Sequence, residues 1–196
     1  GKYTYLRPDP QIIWQSGDFR RNADAVYTRS GGGGYWDFNV PASGDGQNIS
    51  YRDLKFFVKP MGFKHMGLFP EQAVNWDFMR SKIENSGREI RVLNLFAYTG
   101  GATVACLKAG AKVCHVDASK GMVAHAKQNV ELNSLSGGNV RYIVDDCLKF
   151  VQREARRGKK YDAVVMDPPS YGRGPNGEKW EVDVLLNKLV SSCMEI

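Results

Sequence analysis

The sequence predicts an α/β fold, a doubly wound parallel sheet with helices on both faces, preceded by a small β-rich N-terminal extension. Three observations predict it. From residue 91 onward four apolar runs alternate with helical stretches, small or acidic residues stand directly after each run, and the first 57 residues carry only short aromatic and β-branched runs between turn residues. Alternation of strand and helix means parallel strands joined by crossover helices that cover the sheet.

In chain order, Ile12-Ile13-Trp14, Ala25-Val26-Tyr27, Tyr35-Trp36-Asp37-Phe38 and Leu54-Lys55-Phe56-Phe57 read as strands. The glycines at 31–34 and the run Ser43-Gly44-Asp45-Gly46 read as turns, since glycine reaches positive φ at little steric cost. Residues 71–85 have helical spacing (Ala73, Val74, Trp76, Phe78, Met79, Ile83), with Pro70 suited to the first turn. Buried strands are expected at 91–96, 112–117, 140–144 and 161–166, alternating with helices near 102–109, 120–133 and 147–156. A last apolar-periodic stretch covers Val184, Leu185, Leu186 and Val190. The expected division is 1–70 for the extension and 71–196 for the sheet domain.

Composition bounds the function. The 196 residues are 42% hydrophobic and 24% charged, with a formal charge of +6. That is an ordinary globular balance with room for one sizeable core and a small appendage, not two full enzyme domains. No apolar run approaches the roughly 18 residues of a membrane helix, and no secretory leader opens the chain. Cys106, Cys114, Cys147 and Cys193 have neither metal-ligand pairing nor the density of a disulfide framework. A reducing, cytoplasmic setting without a bound metal is expected. The first residue is not Met and the last lies in a helical pattern, so a longer polypeptide is expected, with about 80 to 130 further residues.

In a parallel α/β sheet, ligands bind beyond the carboxyl ends of the strands. The first such end, Ala97-Tyr98-Thr99-Gly100-Gly101-Ala102-Thr103, is a small-residue turn opening a helix, suited to close backbone approach and to an anionic group at the helix amides. It is neither a G-x-G-x-x-G dinucleotide motif nor a P-loop. The second end is Asp117, a carboxylate that can accept both hydroxyls of a ribose, or else a helix cap together with Ser119. The third, Asp145-Asp146-Cys147, offers a carboxylate to an adenine amine or again a cap. The fourth, Asp167-Pro168-Pro169-Ser170-Tyr171, sets two prolines, outward carbonyls, a carboxylate and an aromatic ring where a planar base could lie.

Residues 93–103 with Asp117, Asp146 and Asp167 to Tyr171 together resemble the motifs of class I S-adenosylmethionine-dependent methyltransferases. Gly67-Leu68-Phe69-Pro70-Glu71-Gln72, Asn94-Leu95-Phe96-Ala97-Tyr98-Thr99-Gly100 and Asp167-Pro168-Pro169-Ser170-Tyr171 more closely resemble the bacterial large-subunit ribosomal RNA methyltransferase-like group, which includes cytosine-5 and guanine-7 methylating enzymes. The similarity covers roughly residues 55–180. It implies a Rossmann-like sheet and S-adenosylmethionine as cofactor, with Ala97, Tyr98, Thr99 and Gly100 beside its methionine portion and Asp117, followed by Ala118 and Ser119, at its ribose. It implies further that Asp146 holds the adenine amine with Cys147 against the ring, that Phe69 and Gln72 close over the methionine end, and that Asp167, Pro168 and Tyr171 line the methyl-transfer site. The implied partner is ribosomal RNA. Rival expectations are a small-molecule or protein methyltransferase, and a catalytically silent RNA-binding module.

Two departures bear on the target atom. Ser170 separates the prolines from the aromatic Tyr171, which argues against a base amine. A cytosine-5 enzyme needs a nucleophilic cysteine, which in the resembling group follows a fifth strand; Cys193 is expected to pack instead. The basic run Arg153, Arg156, Arg157, Lys159, Lys160 reads as helix-end charge, with RNA contact as the alternative. His125 reads as structural and His65 as near substrate phosphate. Trp14, Tyr35, Trp36 and Phe38 read as the core of a small sheet before they read as base-stacking groups.

Overall fold

A computed structural model of the chain describes residues 2–8, 22–62 and 64–196. Contacts divide the chain into two compact units, Gly1–Phe69 and Pro70–Ile196. The strand expected at Ile12-Ile13-Trp14 lies outside the described residues.

Among its described residues the first unit has five strands and a short 3₁₀ turn at Pro41–Asp45. Strand β1 (Tyr5–Leu6) pairs in parallel with β2 (Ala25–Ser30), which pairs antiparallel with β3 (Gly33–Phe38). A separate hairpin joins β4 (Gln47–Tyr51) to β5 (Leu54–Val58). The four-glycine run thus splits, Gly31 and Gly32 making the turn at positive φ and Gly33 and Gly34 starting β3. Gly34 admits no side chain, because a Cβ there would lie 2.4 Å from the Thr28 carbonyl oxygen. Trp36 packs edge-on against Tyr27 at 5.4 Å and donates its indole N–H to the Met61 carbonyl, the structural role expected of it. Tyr35 and Phe38 stay exposed.

The second unit opens with a 3₁₀ turn at Pro70–Gln72 and α1 (Ala73–Glu84). Its sheet is formed by β6 (Arg91–Leu95), β7 (Lys112–Asp117), β8 (Val140–Val144) and β9 (Ala163–Met166), all parallel, in the order β8-β7-β6-β9. The crossovers are α2 (Gly101–Lys108), α3 (Lys120–Leu132) and α4 (Cys147–Arg156), and α5 (Val182–Cys193) closes the chain. Helices cover both faces. Leu93, Leu95, Cys114 and Val116 point to the α4 and α5 side, where they pack with Phe150, Val151, Leu189 and Cys193. Asn94 and His115 point the other way, toward Thr103 of α2. Strands buried on both sides explain the unbroken apolar runs. Burying one side chain such as Phe150 or Leu93 contributes about 1.5 to 3 kcal/mol.

Beyond the expected elements there is a hairpin of β10 (Tyr171–Arg173) and β11 (Lys179–Glu181). Its turn signal, Gly174-Pro175-Asn176-Gly177, is present in the sequence. Strand β9 starts two residues later than expected. Asp162 just before it accepts the Arg91 amide at 2.8 Å and the Arg88 guanidinium at 2.6 Å, so a loop residue pins the strand's entry.

Candidate functional site

The parallel sheet brings four strand ends to one edge, and hydrogen bonds join them. After β6 the chain turns sharply, with Phe96 and Tyr98 both at φ +51° and Gly100 at +83°. Two non-glycine residues in the left-handed region are costly, and such strain persists only where the surroundings fix it. Here they do. The Ala97 amide donates to the Val116 carbonyl at 3.1 Å, the Tyr98 amide to Asp117 Oδ2 at 2.8 Å, and the Phe96 amide to Cys147 Sγ at 3.3 Å. From below, the buried Asn129 of α3 donates its side-chain amide to the Thr99 carbonyl at 2.8 Å. Gly100 is the N-cap residue of α2, and a Cβ at this position would lie 3.0 Å from Ala126 Cβ.

Asp117 is not the cap of α3; Ser119 is, its hydroxyl accepting the Met122 amide. Instead Asp117 is a gathering point, Oδ2 taking the Tyr98 amide and Oδ1 the Ser119 amide at 2.8 Å. A carboxylate has about four acceptor positions, so two remain for other donors. Burial pushes the Asp117 carboxyl above its usual value, with the two amides pulling the other way.

At the third end the capping reading holds. Asp146 caps α4, Oδ1 accepting the Lys149 amide at 2.9 Å. Asp145 is occupied, its carboxylate paired with Arg153, about two helical turns on, and bonded to the Asp146 amide. Arg153 thereby leaves the expected run of solvated cations and neutralises the neighbour of Asp146. The Cys147 thiol is buried and pushed up by that burial, so it acts as packing surface.

At the fourth end Asp167 is exposed and accepts the Gln72 side-chain amide at 3.1 Å. Pro168 follows, half-buried. The expected outward carbonyls are fewer than the sequence promised. The Pro169 carbonyl accepts the Trp180 indole N–H at 2.7 Å and the Ser170 carbonyl the Val182 amide at 3.0 Å, because the β10–β11 hairpin folds Trp180 back under the loop. The Trp180 ring also lies 4.7 Å from that of Phe96, joining the first and fourth strand ends. Tyr171 opens β10, 51% exposed as a residue.

Gln72, Ala97, Tyr98, Thr99, Gly100, Asp117, Ala118, Ser119, Asp146, Cys147, Asp167 and Pro168 therefore share one edge of one unit. Phe69 belongs to the other unit, where its ring meets His65 edge-on at 5.5 Å. Burial, with Arg7 and Lys64 nearby, lowers the His65 pKa. His125 is buried on α3, and Cys193 is buried beside Leu189 and Trp180 with its thiol pushed up to about 11. Among the described residues no group of three or more His, Cys, Asp or Glu could hold a metal ion, and no helix is long and apolar enough to cross a membrane. Trp180, Asn129 and Asn75 were not singled out by the sequence. Trp180 and Asn129 reach the Pro169 and Thr99 carbonyls, and Asn75 reaches Gln72 one turn back, contacts that leave no hydrophobic periodicity.

The profile of the S-adenosylmethionine-dependent methyltransferase family matches residues 45–190. Ribosomal RNA large subunit methyltransferase I of Salmonella arizonae is 36% identical over 124 residues, covering 63% of this chain and 30% of its own. The crystal structure of the SAM-dependent methyltransferase from Agrobacterium tumefaciens aligns over all of this chain and 64% of its own, at 40% identity and a TM-score of 0.95. A methyltransferase structure complexed with SAH aligns over 90% of this chain and 46% of its own, at 25% identity and a TM-score of 0.72. The chain spans about a third of the length of the curated relatives it matches. A family match over well over half of the sequence, on a parallel sheet whose strand ends converge as described, has one meaning: the chain belongs to the S-adenosylmethionine-dependent methyltransferase family.

Proposed function

We propose that the protein methylates a base of ribosomal RNA in the cytoplasm. The observation that carries this reading is the exposed Asp167-Pro168 edge, steadied by Gln72, with the exposed Tyr171 three residues on. Acceptors, a rigid proline and an exposed aromatic residue together suit a planar base. Relatives named as ribosomal RNA large subunit methyltransferases support the choice of RNA.

The donor set fits S-adenosylmethionine. Asp117 keeps acceptor capacity for two vicinal hydroxyls, Asp146 is capped on one oxygen only, and the 97–100 turn brings backbone within reach of the amino-acid portion. When bound, the cofactor supplies a methyl group made electrophilic by its sulfonium. The chain's residues then have to align the base with that methyl and keep water out, with little acid–base work of their own.

The test is incubation of the full-length protein with radiolabelled cofactor and unmodified ribosomal RNA. Label in RNA, located by nuclease digestion, is the expected outcome. Label only in protein or small molecules would redirect the reading to those substrates, and RNA binding without any transfer would make the protein a silent module.

A further inference from the structure

The opposite edge of the sheet, at the amino ends of its strands, has a cavity of its own. It encloses about 260 Å³ and is lined by Arg91 of β6, Lys112 of β7, Arg141 of β8, Lys159 and Lys160 beyond α4, and the buried Glu154. Five cations line it; Lys112 is paired with Glu89 at 2.9 Å, which leaves four against the one lining carboxylate.

That carboxylate is already committed. Glu154 is 1% exposed and accepts the Tyr161 hydroxyl at 2.8 Å, with Arg157 at 3.3 Å and Arg141 at 3.5 Å. Arg141 is anchored at one side by Glu154 and lies over the Phe150 ring, while about half of its side chain is exposed, which leaves it donor capacity for a further acceptor. Lys160 donates to a neutral acceptor, the Glu195 carbonyl, and Lys159 has no ion-pair partner among the described residues. Cations at the end of α4 complement its dipole, which accounts for Lys159 and Lys160. It does not account for Arg91 and Arg141, which come from two separate strands.

We infer that this cavity is a second RNA contact, which takes a backbone phosphate of the substrate at the edge remote from methyl transfer. The inference rests on the RNA-methyltransferase reading above. Strands of five or six residues put the two edges about 17 to 20 Å apart, so only an RNA long enough to pass around the sheet reaches both. Contacts to phosphate position the nucleic acid and add salt-dependent affinity without reading its sequence.

The test uses the full-length protein with Lys159→Glu/Lys160→Glu and, on other elements, Arg91→Gln/Lys112→Gln. Affinity is measured across salt concentrations for a long ribosomal RNA fragment and for a short hairpin, with cofactor calorimetry as the folding control. Each variant is expected to bind the long fragment about tenfold more weakly and to lower the slope of log affinity against log salt by about one. Binding of the hairpin and of the cofactor stays unchanged. Wild-type affinity and slope for the long fragment in both variants would overturn the second contact alone. Saturable protection by inorganic phosphate, lost in the variants without any change in RNA binding, would overturn it in favour of a small-anion site. Absence of RNA binding by the unmodified protein would overturn the RNA reading and this inference together.

Discussion

Gln72 and Asp167, 95 positions apart in the sequence, share a hydrogen bond of 3.1 Å from the glutamine amide to the aspartate Oδ2. Asn75 decides which way that amide faces, because its own side-chain N–H donates to Gln72 Oε1 at 2.8 Å and leaves the NH₂ end for Asp167. Gln72→Ala is expected to lower kcat/KM of methyl transfer about two- to tenfold, the scale of one hydrogen bond. Gln72→Glu, which sets two carboxylates against each other, is expected to lower it further. Steady-state kinetics on both variants checks the order.

Asp117→Ala should weaken cofactor binding about 10- to 100-fold through lost hydrogen bonds to a charged acceptor, read by calorimetry. Its raised pKa carries a second expectation. The folded carboxyl holds its proton to higher pH than the unfolded one, which titrates near 3.8, so the folded state binds more protons in that window. Stability of the cofactor-free protein therefore falls as pH rises from about 4 through the folded value, and Asp117→Ala removes that component of the pH profile.

His115 has the opposite sign. It is fully buried, shares a 2.9 Å hydrogen bond between Nδ1 and Thr103 Oγ1, and has no partner at Nε2 among the described residues; burial lowers its pKa to about 4. Above pH 6.5 both states are neutral and the stability is fully present. As pH falls from 6.5 toward 4 the unfolded state takes the proton first, at a cost of the order of 3 kcal/mol across the window. Urea titrations at pH 7 and pH 4.5 should show this loss, and His115→Leu should flatten it.

Gly100→Ala combines left-handed backbone with a Cβ 3.0 Å from Ala126. A loss of about 1 to 3 kcal/mol in unfolding free energy is expected, with weaker cofactor binding because the same residue starts α2.

Cys193→Ala should retain methyl transfer. The thiol is buried against Leu189 and Trp180 and pushed up to about 11, so it offers no thiolate at neutral pH. Loss of transfer with normal stability would assign it a chemical role.

The sheet was legible because buried parallel strands are written as apolar runs, and the limits of β7 and β8 follow from where those runs stop. The meeting of Asp117, Asp146 and Asp167 was legible for a related reason: parallel strands deliver their ends to one edge. What stayed hidden is lateral. Trp180 closing on the Pro169 carbonyl, Asn129 reaching Thr99, and Arg153 covering Asp145 are single contacts that no periodicity encodes. The left-handed Phe96 and Tyr98 were hidden for another reason, since neither residue type announces positive φ and both are held there by neighbours.

That turn is wired to β7, α3 and α4 by the chain's own hydrogen bonds, so the cost of ordering it is met when the protein folds, not each time a ligand arrives. With the proposed assignments, the groups it positions face the ribose, the adenine and the amino-acid portion, the parts of the cofactor that donation of a methyl leaves unaltered. A rigid cradle of this kind holds spent cofactor about as firmly as fresh. Product inhibition is the built-in cost of such preorganisation, and turnover then depends on how readily the demethylated cofactor leaves.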